Sequence, residues 1–432
     1  MTGCLNLFQA TMLQWRDLHP YNAAHAVLVA GALDATRLSA AIATHLEGAG
    51  LTGLEVDAAR CRYRYRGGPA TVALTVIPAV GDAGRAVAVE IERQLNAGFP
   101  ATGRIDPFRF FAVTTAASFH LGVAYDHFVA GGDSIAVLLH DVAARYAGGA
   151  AAPAPDVYPA TYAQLFRRHA VALLRGLPQL PAIAASCRRS FRPRYADSDD
   201  GTNGFVHVRV EATAFAALRR VAEGWGVTTS DVLLALMHDA LSPLAIGRRS
   251  ERRRTLLGVA MIVNVRRDFQ PDARAAFGQF LSSIRVAHAV PDGIGIEVLA
   301  RDIHAETARS KRRKLYLQTL VGVAVGALAW RFLSPARRAR FHAKNYPVWG
   351  GLTPIDADAL WRTAGSTAPA PDYIRGVSTG PLTPIVVAAT VAGGALSLGL
   401  TFRTTAFARE VVNNVAATML HRIHELAAEA PR

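Results

Sequence analysis

The sequence predicts a protein of mixed α/β class with two lobes. Short segments of strand pattern alternate with amphipathic helix patterns, and the same order returns in the second half of the chain. At 432 residues the chain is also longer than one ordinary hydrophobic core requires. Residues 147–160 are rich in alanine, glycine and proline, as expected of a connection. We therefore predict an N-terminal lobe over 1–160 and a C-terminal lobe over 161–432.

The first half reads as strands and helices in turn, since apolar residues alternate in some segments and recur every three or four positions in others. The predicted strands cover 24–29, 70–80, 107–113 and 118–127, the last two forming a hairpin. The predicted helices cover 34–46, 84–97 and a third segment that begins at an N-cap, Asp133 or Ser134, and ends at Tyr146.

The second half repeats this order after a polar stretch, 192–203, that predicts a surface loop. The predicted strands cover 205–210, 256–265, 282–288, 385–391 and 395–402. The predicted helices comprise one from Thr161, one over 213–225, one capped by 226–231 that ends at Leu241, one over 294–314 and one over 405–428.

The charge balance is basic, with 47 lysines and arginines against 33 acidic residues and a net charge of +14. Such a surface attracts polyanions, among them nucleic acid, anionic lipid, coenzyme A and an acidic carrier protein. Nucleic acid is not expected, because zinc-finger spacing, an aromatic RNA-binding signature and a basic region followed by heptads are all missing. Three widely spaced cysteines and a first segment without a secretory pattern predict a cytoplasmic protein.

One apolar segment, Leu315 to Trp330, contains 16 uncharged residues between Lys314 and Arg331. A membrane-spanning helix needs about 20 residues, so a buried or interfacial helix is the better interpretation. In the interfacial case the basic flanks would lie on anionic lipid, giving a peripheral membrane contact.

The most informative segment surrounds His127, at the end of a predicted strand and before Gly131 and Gly132. Strand parity places Tyr125 and His127 on one face and Asp126 on the other. A histidine there can act as a general base in a cleft, because its ordinary pKa lies near neutrality. The alternative is a partly buried histidine that ends a strand, with glycines that serve only the turn.

The segment Asp126-His127-x-x-x-Gly131-Gly132 resembles the His-His-x-x-x-Asp-Gly signature of the acyltransferase superfamily that includes chloramphenicol acetyltransferase and peptide-synthetase condensation domains. His127 matches the catalytic second histidine and Gly132 the final glycine. Asp126 replaces the first histidine and Gly131 the aspartate, although Asp133 stands two residues further on. The resemblance continues in order through Tyr21 to Ala23, Phe99 to Phe108, Gly226 to Ala235, Asn264-x-Arg266, Gly278-x-Phe280 and Ser378-Thr379-Gly380.

The resemblance implies two chloramphenicol-acetyltransferase-like lobes that form a pseudo-dimer around a cleft or tunnel. An acyl thioester on coenzyme A or on the phosphopantetheine of an acyl carrier protein would enter as cosubstrate. His127 would take the proton of a hydroxyl or amine on a small or carrier-bound acceptor, giving an ester or an amide. No bound cofactor or metal is implied; His421 and His424 lie on one helix without a third ligand in sequence.

The resemblance also suggests supporting residues. The family aspartate pairs with an arginine, so Arg266, on a strand with Asn264, is predicted to pair with Asp133 or Asp126 and support the loop. Backbone N–H groups near Gly132 and the hydroxyls of Ser378 or Ser134 are candidate oxyanion donors, and Thr379 stands where the family has asparagine. Residues 345–351 are a rival cleft segment, and both this segment and 377–381 could equally be simple turns.

Two other functions remain open at this stage. The departures at Asp126 and Gly131 suggest a non-catalytic condensation-like module that docks a carrier protein or another enzyme. The segment Leu315 to Trp330, with residues 377–384, suggests a lipid-forming acyltransferase that resembles wax ester synthases and works at the membrane surface.

Overall fold

The computed structural model describes residues 1–149, 155–158, 162–269 and 276–429. Its strands are β1 (Thr2–Cys4), β2 (Asn22–Ala30), β3 (Leu54–Asp57), β4 (Arg62–Tyr65), β5 (Leu74–Pro78), β6 (Arg104–Ile105), β7 (Phe108–Thr114), β8 (Ser118–Asp126), β9 (Asn203–Val210), β10 (Leu257–Asn264), β11 (Leu281–His288), β12 (Gly350–Asp356), β13 (Tyr373–Val377), β14 (Ile385–Ala392) and β15 (Ala395–Arg403).

The helices surround these strands and connect them. They are α1 (Leu7–Arg16), α2 (Ala35–Gly48), α3 (Ala83–Asn96), α4 (Gly132–Tyr146), α5 (Tyr162–Arg168), α6 (Ala170–Gly176), α7 (Leu180–Arg189), α8 (Ala212–Gly224), α9 (Thr229–Leu241), α10 (Arg266–Phe269), α11 (Ile296–Arg312), α12 (Tyr316–Trp330), α13 (Pro335–Asn345), α14 (Ala357–Thr363) and α15 (Arg409–Glu429), with short 3-10 turns at Leu177–Gln179 and Pro243–Arg249.

The strands form three sheets, which confirms the mixed α/β class. The sheet of the first half has the order β13-β2-β8-β7-β5, and the sheet of the second half has the order β11-β10-β12-β14-β15-β9. A small third sheet has the order β1-β4-β3-β6. The long hairpin of β7 and β8 predicted from the sequence is present, with Phe108 opposite Tyr125.

The two large sheets meet because one strand crosses between the halves of the chain. β13 lies in the range 161–432 but pairs antiparallel with β2, with Val377 opposite Ala23. Its backbone also lies against β15, where a Cβ on Gly399 would come within 2.0 Å of the Arg375 carbonyl oxygen. Only glycine permits this approach. The lobe boundary near residue 160 stays a prediction, and 150–154 and 159–161 fall outside the described residues.

Local sequence explains the helices that were predicted. Asp34 caps α2 by accepting the Arg37 backbone N–H at 3.0 Å, and the apolar face of that helix is buried. Thr228 and Asp231 form a reciprocal capping box at the start of α9. Burial of one apolar face then stabilises each helix on its sheet.

Several predicted boundaries were wrong for identifiable reasons. The strand predicted over 70–80 is only Leu74–Pro78, because it is an edge strand that pairs with β7 alone and ends at a proline. The last helix begins at Arg409 rather than 405, since residues 404–406 form a turn in which Thr405 donates to the Asp200 carbonyl. The predicted start at Thr161 lies outside the described residues, and helix α5 is described from Tyr162.

Candidate active site

A cavity of about 540 Å³ lies where the two large sheets meet. Its walls include His127 after β8, Asn264 on β10, Thr353 on β12, and Arg375 on β13. Helix α12 closes one side. The predicted motif histidine and the predicted Asn264 strand therefore reach one cavity, although they lie in different halves of the chain.

His127 lies one residue beyond β8, so the prediction that it ends the strand was wrong by one position. Asp126 is the last residue to pair with β2, opposite Asn22. The His127 backbone N–H donates to the Tyr21 carbonyl at 3.0 Å, and its ring lies 5.3 Å from the Tyr21 ring, centroid to centroid. The side chain is buried but lines the cavity. The sheet thus fixes the backbone of His127 and leaves its ring at the cavity wall.

Gln279, which the sequence did not identify as a site residue, holds the backbone beside the histidine ring. Its amide Nε2 donates to the His127 carbonyl, and to the Ala130 carbonyl at 2.7 Å, and lies 3.2 Å from His127 Nδ1. The Ala130 carbonyl also accepts a hydrogen bond from the His127 ring. The Nδ1 side of the ring therefore lies against the loop, and the ring as a whole lines the cavity. The only sequence signal for Gln279 is its place between Gly278 and Phe280.

The electrostatic environment keeps His127 uncharged. Burial, opposed by the bond to the Ala130 carbonyl and aided by the charge of Arg375, lowers the pKa of His127 to about 4. At neutral pH the ring is therefore in its free-base form. A neutral imidazole with one nitrogen on a cavity can accept a proton from a bound molecule.

The loop that follows His127, residues 127–133, is held by the ion pair predicted between Arg266 and Asp133. Arg266 Nη1 donates to the Asp133 carboxylate at 3.2 Å, and Nη2 donates to the Ser134 hydroxyl at 2.7 Å and the Gly278 carbonyl at 3.0 Å. Burial lowers the pKa of Arg266, and the Asp133 charge opposes that shift. The Asn264 amide donates to the same carboxylate. The predicted support by Asn264 and Arg266 is present.

Asp126 has a different partner from the one considered in the sequence. Its carboxylate pairs with Arg16, the last residue of α1. Burial raises the pKa of Asp126 above its ordinary value, and Arg16 opposes the shift. Of the two carboxylates, Asp133 is the partner of Arg266, and Asp126 joins the first helix to the β8 end.

Close packing explains the glycine at 132 but not the one at 131, where a Cβ would meet its neighbours at ordinary contact distances. A Cβ on Gly132 would lie 2.4 Å from Ile355 Cδ1 and 3.3 Å from Arg375 Nη1. The Gly131 backbone N–H donates to the Gly278 carbonyl at 3.0 Å. Any larger residue at 132 would push into the cavity wall.

Arg375 is a second site residue that sequence analysis missed. The side chain is 2 % exposed, and its described donors bond neutral groups only, among them the hydroxyls of Thr353 and Thr390, each at 3.2 Å. No carboxylate of the described residues forms an ion pair with it. Burial lowers the pKa of Arg375 to about 10, so it is charged at neutral pH. A single arginine in an apolar segment carries no motif, which is why sequence alone could not reveal it.

The remaining predicted cleft residues occupy two different places. Ser378 and Thr379 line the cavity, where the Ser378 hydroxyl bonds the Leu95 carbonyl at 3.4 Å and the Thr379 hydroxyl donates to the Asn203 side chain at 3.0 Å. The Ser134 hydroxyl instead lies within the loop, against Arg266. Several residues of the rival segment 345–351 also line the cavity.

Within the described ranges, no three histidine, cysteine or acidic side chains are placed to hold a metal ion. One helical stretch, Ala170–Arg189, is long and apolar enough to cross a membrane by length and composition alone, and 6 % of it is buried. The apolar segment predicted over 315–330 is the shorter helix α12.

Comparison with known proteins identifies the fold. No protein-family model matches the sequence, and a search of curated proteins finds no match. The structure is similar to the condensation domain of the Monacolin K polyketide synthase MokA, at 14% identity over 100% of this chain and 98% of that one, with a TM-score of 0.69. It is also similar to the EpoB cyclization-docking bidomain of Sorangium cellulosum, at 13% identity over 100% and 86%, with a TM-score of 0.72.

A third similar structure is the X-domain from teicoplanin biosynthesis, at 16% identity over 99% of this chain and 96% of that one, with a TM-score of 0.62. These identities are low, but the coverage is nearly complete in both directions. The chain therefore has the two-lobed fold of condensation domains, as the resemblance implied.

Proposed function

We propose that the protein is a condensation-type acyltransferase that moves an acyl group from a thioester to a hydroxyl or amine acceptor, with His127 as general base. The observation that carries the proposal is the neutral His127 ring, which lines the cavity and has its Nδ1 beside Gln279. We assign Nε2 as the nitrogen that accepts the proton. This is the arrangement that proton removal from an acceptor requires.

In this reaction the acceptor's O–H or N–H proton passes to His127 Nε2 while its oxygen or nitrogen bonds to the thioester carbonyl carbon. The carbonyl electron pair moves onto oxygen and gives a tetrahedral oxyanion. Collapse of that intermediate re-forms the carbonyl and breaks the carbon–sulfur bond. The His127 imidazolium then returns its proton to the thiolate that leaves.

We assign the stabilisation of the oxyanion to Arg375, together with backbone N–H groups near Gly132. The hydroxyl of Ser378 would join them only by exchanging its bond to the Leu95 carbonyl. Arg375 is a buried cation without a carboxylate partner, and buried charges are normally paired. A negative oxygen that forms in the cavity would supply the missing charge. Preorganised donors of this kind are usually the largest electrostatic contribution to acyl transfer.

The donor we expect is an acyl thioester of coenzyme A or of a carrier protein, encountered in the cytoplasm. The net charge of +14 favours both donors, because each carries phosphate or acidic groups. The similar EpoB structure is a cyclization-docking bidomain, which supports a carrier-bound donor by analogy of fold.

A second candidate function is a docking module without acyl transfer. The X-domain from teicoplanin biosynthesis supports it, since that domain has also been solved in complex with OxyB, with a TM-score of 0.57 to this chain. The aspartate at position 126, where the family has a histidine, is the residue-level observation in its favour.

The deciding experiment is a transfer assay with acyl thioesters and a panel of alcohols and amines, read by thiol release and by mass spectrometry of the acceptor. His127→Ala should lower the rate by about 10²- to 10⁴-fold. His120→Ala, which removes a buried histidine from β8, the strand that precedes His127, is the matched control and should not lower it comparably. Full activity in His127→Ala would refute the catalytic role, and no transfer by the wild-type chain with any donor would favour the docking module.

A further inference from the structure

The wall that α12 contributes to the cavity is entirely uncharged. This helix has no charged residue between Tyr316 and Trp330, and its cavity-lining positions extend from Gln318 to Trp330. Thirteen residues of helix, separated by twelve rises of 1.5 Å, correspond to a wall about 18 Å long. Apolar side chains from α7, β10, α13 and β14 also line the cavity, namely Leu180, Ile183, Ala260, Ile262, Phe341 and Val386.

Two glycines leave this wall open. A Cβ on Gly322 would meet nothing within 4 Å, and one on Gly326 would meet only the Phe341 ring, at 3.6 Å or more. An apolar helix of a close-packed protein normally fills such positions against its neighbours. Both glycines line the cavity, and Gly322 is also exposed to solvent, so the open space beside α12 lies at the mouth of the cavity and not in the core.

The apolar wall reaches the protein surface. Ile183 on α7 and Val325 on α12 line the cavity and are 39 % and 64 % exposed. Exposed apolar side chains at a cavity mark a binding surface for apolar material. The cavity therefore has an apolar, solvent-exposed rim at Ile183 and Val325.

The same cavity is also lined by the polar side chains His127, Asp133 and Arg375, which come from other elements than α12. We propose that a substrate with a long aliphatic chain binds here, its chain along α12 and its reacting group at His127. This inference rests on the proposed function only for the chemistry at His127. The chain is either that of the acyl group or that of the acceptor, since both would meet the same apolar wall.

The test is a chain-length series on each substrate in turn. Acetyl, hexanoyl, dodecanoyl and hexadecanoyl coenzyme A are compared with one short alcohol, and short to long primary alcohols are compared with acetyl coenzyme A. Each methylene buried along α12 should raise kcat/KM about fourfold until the wall is covered. The series that shows this rise identifies which substrate carries the chain.

Gly322→Phe places a ring in the open space beside α12 and should reduce kcat/KM for the longest substrate at least tenfold more than for the shortest. Gly224→Phe is the matched control, because this exposed helix-end glycine also has open space around it and lies outside the cavity. It should leave both values unchanged.

Binding separates this inference from the proposed function. Titration calorimetry with the His127→Ala variant compares hexadecanoyl coenzyme A, hexadecanol and coenzyme A alone. If no transfer occurs but a chain-bearing compound binds and Gly322→Phe weakens that binding at least tenfold, the chain site stands and the catalytic proposal fails. If transfer is independent of chain length in both series, or Gly322→Phe behaves as Gly224→Phe does, the chain site is overturned.

Discussion

Replacement of Asp133 by asparagine should destabilise the protein by about 2 kcal/mol. The change removes the charge opposite Arg266, whose side chain is 4% exposed, and leaves a buried guanidinium without a counter-charge. Two unit charges 3.2 Å apart attract by about 5 kcal/mol at an effective dielectric constant of 20. Loss of one partner of a buried pair costs about 3–5 kcal/mol. We place the value lower, because Asp133 is 22% exposed and asparagine keeps hydrogen-bonding capacity.

The assay is urea unfolding of Asp133→Asn, Arg266→Met and the double variant, which together form a double-mutant cycle. Since Arg266 also bonds Ser134 and Gly278, its single variant should lose more stability than Asp133→Asn. The coupling energy between the two positions should be about 2 kcal/mol, because the residues are in direct contact. Additive effects within about 0.5 kcal/mol would refute the pairing as a structural support of the loop.

A matched control is available on the surface. Asp57 pairs with Arg60 at the same distance of 3.2 Å, but the two side chains are 40% and 80% exposed. Asp57→Asn should therefore produce no measurable change in unfolding, since solvent screens exposed pairs. A loss there as large as that of Asp133→Asn would mean that charge removal, rather than the buried loop contact, explains the result.

Three further predictions follow from the buried charges and histidines. The transfer rate of the folded protein should be constant from neutral pH down to about pH 5 and should fall to half at about pH 4, because His127 accepts a proton only in its free-base form. A rate that falls to half near the ordinary histidine pKa would refute the lowered pKa of His127. His127, His238 and His342 each have a pKa lowered by burial to about 4 from 6.5, so the unfolded chain binds more protons between these values. These three residues should make stability fall with decreasing pH by about 4 kcal/mol per unit at about pH 5. The buried His25, whose pKa is also lowered, adds to the fall, and unfolding free energies that are flat across this range would contradict it. Arg375→Gln should lower kcat by about 10²- to 10³-fold with little change in KM, as expected for a charge that acts on the oxyanion; an effect confined to KM would assign Arg375 to substrate binding instead.

The sequence was sufficient where the determining contacts are local. Alternating apolar residues identified β7 and β8, and capping residues identified α2 and α9. The position of His127 was accurate to one residue for the same reason. Such features depend on neighbours in the chain, which a pattern records.

Two strands that build the site could not be predicted, and their composition explains why. β12 begins with two glycines and contains Pro354, all of which are disfavoured in strands, and β13 carries Arg375 in its centre. Both strands are stabilised by partners distant in sequence, β13 by β2 and β12 by β10 and β14. The position of Arg375 in the cavity wall depends on those strand pairings, so the sequence alone could not predict it.

The structure also explains how a loop with an altered motif keeps its shape. The family aspartate would stand at 131, yet here the carboxylate that meets Arg266 comes from Asp133, in the first turn of α4. A carboxylate in a first helical turn is favoured by the helix dipole, so the two-residue shift adds a stabilising interaction while it keeps the ion pair. At the other departure, the Asp126 carboxylate pairs with Arg16, and His127, not Asp126, lines the cavity. The altered positions therefore bear on loop support, whereas the proposed proton transfer rests on His127, which makes the His127→Ala comparison, and not the match to the motif, decisive for activity.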